Sequence, residues 1–380
     1  MDASGSIHVK AKVSIESAAN FPDISFVIVT RDRAEFLDRQ FAYLQSFGFR
    51  GEIFLGDASS TNQVTNVLNV VEKHKETLKL NATFYPPETP IFDRLRGELN
   101  KVSSSLVMWV GDDDFVVVEG LQAAENKLKS ALTASAIVGR ALLFETEKSR
   151  PWGRLTGFCG YPQHPYAGQA AANRLDAFHA KPCALTYSLR RTKLAKRILD
   201  SVARCGIPDN VIGYFLFETL DALITVASGN VLLVDELLLV RQSHAGSSSS
   251  RGKLLSLWFD FMDSQDWPLI KSKVSQELNT VMAEEHLAGD NSESLRYARL
   301  AIWQSIYRLL KRIPEFQPPS PFSPSIGTRT LDNLKRLAPL LARNAARQRS
   351  LYKLREPDRT RMRRLIRFIE GGPRQYSGGL

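Results

Sequence analysis

The sequence predicts an α/β fold: a mostly parallel sheet flanked by helices, followed by a helical C-terminal extension. Two observations carry this. Short β-branched and aromatic runs alternate with stretches whose apolar residues recur at helical spacing, from Ile24 to Val110. Two of those runs end in acidic turns, at Asp57 and at Asp112-Asp113-Asp114. In open α/β sheets ligands bind at the carboxyl ends of strands, so these two turns mark the expected site.

The run Ile24–Thr30 has the composition of a strand covered on both faces. Asp32 is placed to cap a helix over 34–47, where Phe36, Leu37, Phe41 and Leu44 share a face and Gly48 follows as a stop. Residues 52–55 form a second strand, 63–74 a helix with Val64, Val67, Leu68 and Val71 on one side, and 78–85 a third strand. Ile91–Lys101 reads as a helix and 106–110 as a buried strand running straight into the aspartates. Beyond them come a helix over 121–131, a strand over 136–145, and loops rich in Gly, Pro and aromatics over 150–181. A strand over 184–189, helices over 191–204 and 214–227 and a strand over 231–241 complete this part. The serines at 247–250 form a loop, and 254–262, 294–313 and 331–347 are helical. Pro318, Pro319, Pro321 and Pro324 mark a linker. The expected organisation is an N-terminal extension (1–21), a catalytic domain (22–250), a helical region packed on it (251–315), the linker (316–328) and a basic helical tail (329–380).

Whole-chain properties narrow the function. The hydrophobic fraction of 43% and charged fraction of 24% are those of a soluble globular protein. Cys159, Cys183 and Cys205 form neither a CxxC pair nor a zinc pattern, so a reducing, cytoplasmic setting is expected. The first residues lack a signal-peptide core, and no apolar run approaches the about 18 residues of a membrane span. A net charge of +10 favours anionic partners, but no nucleic-acid-binding motif is present, so DNA and RNA are not expected.

Adjacent carboxylates after a buried strand repel one another unless something positive sits among them. A divalent cation with oxygen ligands answers that need; a solvated acidic turn, or a helix cap at Asp114, would also account for them. Glu218 and Asp221 lie on an otherwise apolar helix, where a carboxylate can serve as a base or simply solvate the helix. Arg241 can meet phosphate, or stand in solvent. Met362, Leu365, Ile366 and Ile369 make one apolar face of a C-terminal helix whose other faces carry arginines. Such a helix either packs on the domain, the favoured reading, or makes peripheral contact with an anionic membrane, here its inner face.

Three segments together resemble glycosyltransferase family 2 and its GT-A fold: 24–33, Phe54-Leu-Gly-Asp57-Ala-Ser-Ser60, and Met108-Trp-Val-Gly-Asp-Asp-Asp-Phe115. Their order and spacing carry the resemblance, over residues 22–245. It implies a Thr30-Arg31-Asp32-Arg33 turn at the donor nucleotide, Asp57 on the base, and Asp112 on the donor as well as the metal. It implies a divalent cation, Mn²⁺ or Mg²⁺, on Asp112, Asp113 and Asp114, with His244 completing the shell. Gly111 stands where the family has its first aspartate, so either Asp112 takes that role or Asp113 binds nearly alone. The general base falls on Glu218, or secondarily Asp221. The implied activity is inverting, metal-dependent transfer of a sugar from a nucleotide-diphosphate sugar to a hydroxyl of a glycan, lipid or protein. Two rivals remain: a nucleotidyltransferase, disfavoured because the first turn lacks a glycine-rich phosphate loop, and a non-catalytic nucleotide-sugar or polyanion-binding protein.

Overall fold

Strand β1 (Ile24–Thr30) has all but one residue buried, as a run without polar alternation requires. Because side chains alternate across a pleat, its residues divide between two cores. Ile24, Phe26 and Ile28 enter one apolar cluster, and Val27 enters the other. Strand β4 (Leu106–Trp109) divides the same way, Leu106 and Met108 from Val107 and Trp109.

The computed structural model describes residues 21, 23–243, 260–285, 298–304 and 354–372, with 257, 292, 295 and 296. Helix α1 (Ala34–Ser46), β2 (Glu52–Asp57), α2 (Val64–His74), β3 (Lys79–Phe84) and α3 (Ile91–Lys101) separate β1 from β4. After β4 come β5 (Phe115–Val116), α4 (Val118–Ser130), β6 (Ala134–Thr146), β7 (Leu155–Tyr161), α5 (Ala171–Ala180) and β8 (Leu189–Arg191). Then follow α6 (Thr192–Cys205), α7 (Val211–Ala227), β9 (Asn230–Gln242), α8 (Asp266–Glu285) and α9 (Asp358–Gly371). Residues 298–304 are also helical.

One sheet holds these strands in the order β3-β2-β1-β4-β8-β6-β9-β5, with β7 also paired to β6. The expected α/β architecture with helices on both faces is present. β1, β2, β3 and β4 pair in parallel as the strand–helix alternation implies, and β6 and β9 are parallel too. The short strands make the sheet mixed: β8 is antiparallel to β4 and β6, β7 to β6, and β5 to β9. The stretch 150–181, expected as loops, contains β7 and α5. The strand expected at 184–189 is the three-residue β8, displaced toward α6. The two-residue β5 carries no pattern of its own and is made by pairing Phe115 with Val240.

Two glycines are required by the backbone, one at a close approach of helix to sheet and one at a helix end. A Cβ on Gly120 would lie 2.2 Å from the Leu237 carbonyl oxygen, so only glycine lets α4 rest against β9. Gly206 ends α6 at φ 69°, in the left-handed region where glycine carries no Cβ penalty.

Helix α9 returns from the C-terminal part to the sheet. Met362, Leu365, Ile366, Phe368 and Ile369 are all buried, in the same cluster as β1 and α1. Phe368 packs edge-on against Tyr43 at 5.6 Å and Phe115 at 6.2 Å. Asp358, 1% exposed, accepts from the Leu237 amide at 3.2 Å and pairs with Arg140 at 2.6 Å. The apolar face that a membrane would have to take is therefore filled by protein, leaving Arg363, Arg364 and Arg367 exposed. Among the described residues no helix is long and apolar enough to cross a membrane. Ile369→Val should lower unfolding stability by about 0.5–1.5 kcal/mol, the usual cost of one buried methyl group. A urea midpoint unchanged by that substitution would mean the helix does not dock in solution.

Candidate active site

The parallel registers bring the predicted turns together. Thr30 stands opposite Asp57 at the ends of β1 and β2, and Val27 opposite Trp109 brings the aspartates beside the β1 turn. Asp32, expected to cap α1, does something else. It sits at φ 55° and accepts from the Ser60 amide at 2.9 Å and hydroxyl at 2.7 Å, while its own amide donates to Ser59 Oγ at 2.8 Å. The N-cap position is Arg33, which makes no side-chain cap bond. A short polar side chain tolerates this left-handed backbone better than most, and the reward here is a stitch between the β1 and β2 turns. Arg31 is exposed and donates to the Thr89 carbonyl at 3.3 Å.

Asp57 lies at its expected strand end but is 1% exposed, accepting from Ser59 Oγ at 2.6 Å and Ser59 N at 3.2 Å. Burial raises its carboxyl above the ordinary range.

The three aspartates do not point one way. Asp112 accepts from Thr30 Oγ1 at 2.6 Å and from Arg33 Nε at 2.9 and 3.0 Å. Asp113, which keeps 20% of its side chain exposed, accepts from Arg33 Nη2 at 2.6 Å. Asp114 turns inward, accepting from the Gln242 amide at 3.1 Å and Arg241 Nε at 3.2 Å. Burial pushes the Asp112 carboxyl up to about 6, helped by Asp113 and opposed by Arg33. Burial likewise pushes Asp114 up to about 7, against the pull of Arg241.

Their backbone is held from α1. The fully buried Arg39 donates to the Asp113 carbonyl and to Gln242 Oε1, both at 2.6 Å, and lies 4.6 Å from the Phe115 ring centre. Gln40 donates to the Gly111 carbonyl at 2.7 Å and the Asp114 carbonyl at 3.2 Å. Neither residue stood out as functional in the sequence. The available signal was a polar pair, Arg39-Gln40, set among the apolar positions Leu37, Phe41 and Leu44 of a predicted helix.

Arg241 joins the aspartates to an aromatic wall. Its guanidinium lies 4.0 Å from the Tyr187 ring centre and 5.2 Å from that of Tyr161, and donates to both phenol oxygens, at 2.8 and 3.1 Å. Glu218, on α7, opens to solvent yet is surrounded closely enough by protein for its carboxyl to be raised, against the attraction of Arg241.

Asp221 is not part of this surface. It is fully buried and paired with the equally buried Arg190, beneath the site. His244 lies outside the described residues.

Among the described residues no three His, Cys, Asp or Glu side chains converge on one point. Two do share a cation: Asp112 and Asp113 both bond Arg33. Two carboxylates with the phosphate oxygens of a bound nucleotide are a common set for Mg²⁺ or Mn²⁺, so these residues fit a divalent ion. Asp114, committed to Arg241 and Gln242, does not join them. A recess of about 650 Å³ lies at the opposite end of β4, lined by Ser103, Ser105, Lys193, Lys196 and Arg204 among others. It is cationic and lacks a carboxylate pair.

No protein-family model matches the chain, and no curated protein matches it in sequence. Solved structures with some likeness include S. aureus TarS 1-349, at 13% identity and TM-score 0.42 over 77% of this chain and 81% of that one. The same TarS segment in complex with UDP-GlcNAc gives 14% identity and TM-score 0.41 over 77% and 82% of the two chains. The mannosyltransferase PcManGT from Pyrobaculum calidifontis, in complex with GDP-Man and Mn²⁺, gives 14% and 0.38 over 87% of each.

Proposed function

We propose that this chain transfers a sugar from a nucleotide-diphosphate sugar to a hydroxyl acceptor, with inversion at the anomeric carbon. The observation that carries the reading is the grouping at the strand ends. A carboxylate pair sharing one cation, Asp112 and Asp113, is linked through Asp114 and Arg241 to the neighbourhood of the solvent-facing Glu218. A diphosphate leaving group needs positive charge, and an attacking hydroxyl needs a base.

In this reading Asp57 and the Thr30–Arg33 turn receive the nucleotide. Asp112 and Asp113 hold a divalent cation, which when bound would neutralise the charge developing on the diphosphate. Glu218 accepts the proton of the acceptor hydroxyl as its oxygen bonds to the anomeric carbon and the bond to the diphosphate oxygen breaks. Tyr161 and Tyr187 hold Arg241 in place beside Asp114. Arg39 and Gln40 keep the aspartate turn in place, so the carboxylates need not reorganise during transfer.

The test is a thermal-denaturation panel of UDP, GDP, CDP and dTDP, each with and without Mn²⁺ or Mg²⁺. One base should stabilise the protein, and mainly when metal is present. At about 100 times its Kd a ligand adds about 2.7 kcal/mol to native stability. Absence of any shift in a folded sample would instead favour a non-catalytic polyanion-binding protein, for which the basic recess behind β4 would be the natural seat.

A further inference from the structure

Arg33 occupies the place where a metal would be bound. Its Nε is shared between both oxygens of Asp112, and its Nη2 bonds Asp113. Its guanidinium is steadied 4.1 Å from the Phe36 ring centre. Arg39 is sealed in the core and Arg241 is wedged between tyrosines, but a third of the Arg33 side chain is exposed, so it alone of the three can leave.

We propose that Arg33 is a resident counter-cation that keeps free divalent metal off Asp112 and Asp113 and yields when a nucleoside diphosphate arrives. The inference rests on the donor-site reading above. A guanidinium and a divalent ion need the same carboxylate oxygens, so each excludes the other. A metal arriving alone must turn Arg33 out into water with nothing to replace its two carboxylate partners. A metal arriving with a diphosphate brings anionic oxygens that the displaced guanidinium can bind in its preferred forked geometry. Metal and nucleotide therefore favour each other's binding, by the same factor in either direction. Stacking on Phe36 keeps Arg33 near enough to meet the incoming phosphates.

The experiment is a titration of Mn²⁺, followed by electron paramagnetic resonance on the full chain, alone and with saturating UDP or GDP. Arg33→Gln should bind Mn²⁺ without nucleotide about tenfold or more tightly than the unmodified chain, since one charged bidentate contact no longer competes. The gain in Mn²⁺ affinity on adding nucleotide should shrink in that variant. Arg31→Gln removes a charge from the same turn without freeing the carboxylates. At physiological salt, where exposed charges are screened, it should change Mn²⁺ affinity by about threefold or less. Unchanged or weaker Mn²⁺ binding by Arg33→Gln alone, or an equal gain from Arg31→Gln, would overturn the proposal. In either case the donor-site reading stands if the unmodified chain binds Mn²⁺ with nucleotide. If neither chain binds Mn²⁺ under any condition, the donor-site reading fails and the role of Arg33 with it.

Discussion

Replacing Glu218 by glutamine should cut turnover by about two to four orders of magnitude, the usual contribution of a positioned base. Nucleotide-induced stabilisation should be left intact. Glutamine keeps the size and hydrogen bonding of the side chain, and Glu218 faces solvent on α7, so folding has no reason to suffer. Its environment also sets the pH dependence. Surrounding protein raises the carboxyl above the ordinary glutamate range, and Asp221 on the same helix adds to the shift. A base works only when ionised. Activity should therefore fall as pH drops through this raised pKa, placing the acid limb of the profile above the value of about 4.3 for a free glutamate. The residual rate of Glu218→Gln should lack that limb. A variant retaining both full turnover and the limb would remove Glu218 from the chemistry.

The half of the fold that positions the donor side was legible because its signals are local. Ile91–Lys101 is helical over the residues its periodicity marks, and β1 to β4 fall on the segments 24–30, 52–55, 78–85 and 106–110 expected as strands. The placement of Asp112 to Asp114 after β4 followed from the same reading. What escaped depends on partners distant in the chain. β5 exists because Phe115 meets Val240, and β8 because Leu106 and Val107 on one side and Ala136 and Ile137 on the other align Arg190 and its neighbours. β7 hid in a segment whose Gly157, Gly160 and Pro162 read as loop, since an edge strand paired on one side tolerates glycine. In the site, the aspartates were expected to share one metal. In the structure Asp112 and Asp113 share Arg33, while Asp114 pairs with Arg241. No spacing rule couples Arg241 to a carboxylate 127 positions away.

Arg190→Ala should destabilise the protein by about 3–5 kcal/mol, because it leaves the Asp221 carboxylate buried without its partner. Both side chains are 0% exposed. Arg190 bonds both Asp221 oxygens and also donates to Ser188 Oγ at 2.9 Å, with its guanidinium 4.5 Å from the Trp109 ring centre. The Coulombic attraction of such a pair is largely offset by the desolvation of both charges, so removing both is cheaper than removing one. Arg190→Met with Asp221→Leu should recover most of the loss in a urea titration. Asp221 is one helical turn beyond Glu218 on α7, and the pair ties that turn to β8. With Asp221 buried against β8, Glu218 on the same helix is left facing solvent. Turnover thus separates the two carboxylates: the double variant, if folded, should transfer well above the residual rate of Glu218→Gln, and should keep the acid limb that Glu218→Gln lacks. A well-folded Asp221→Asn that loses transfer as completely as Glu218→Gln, with unchanged melting, would show that burial beside Arg190 does not confine Asp221 to a structural role.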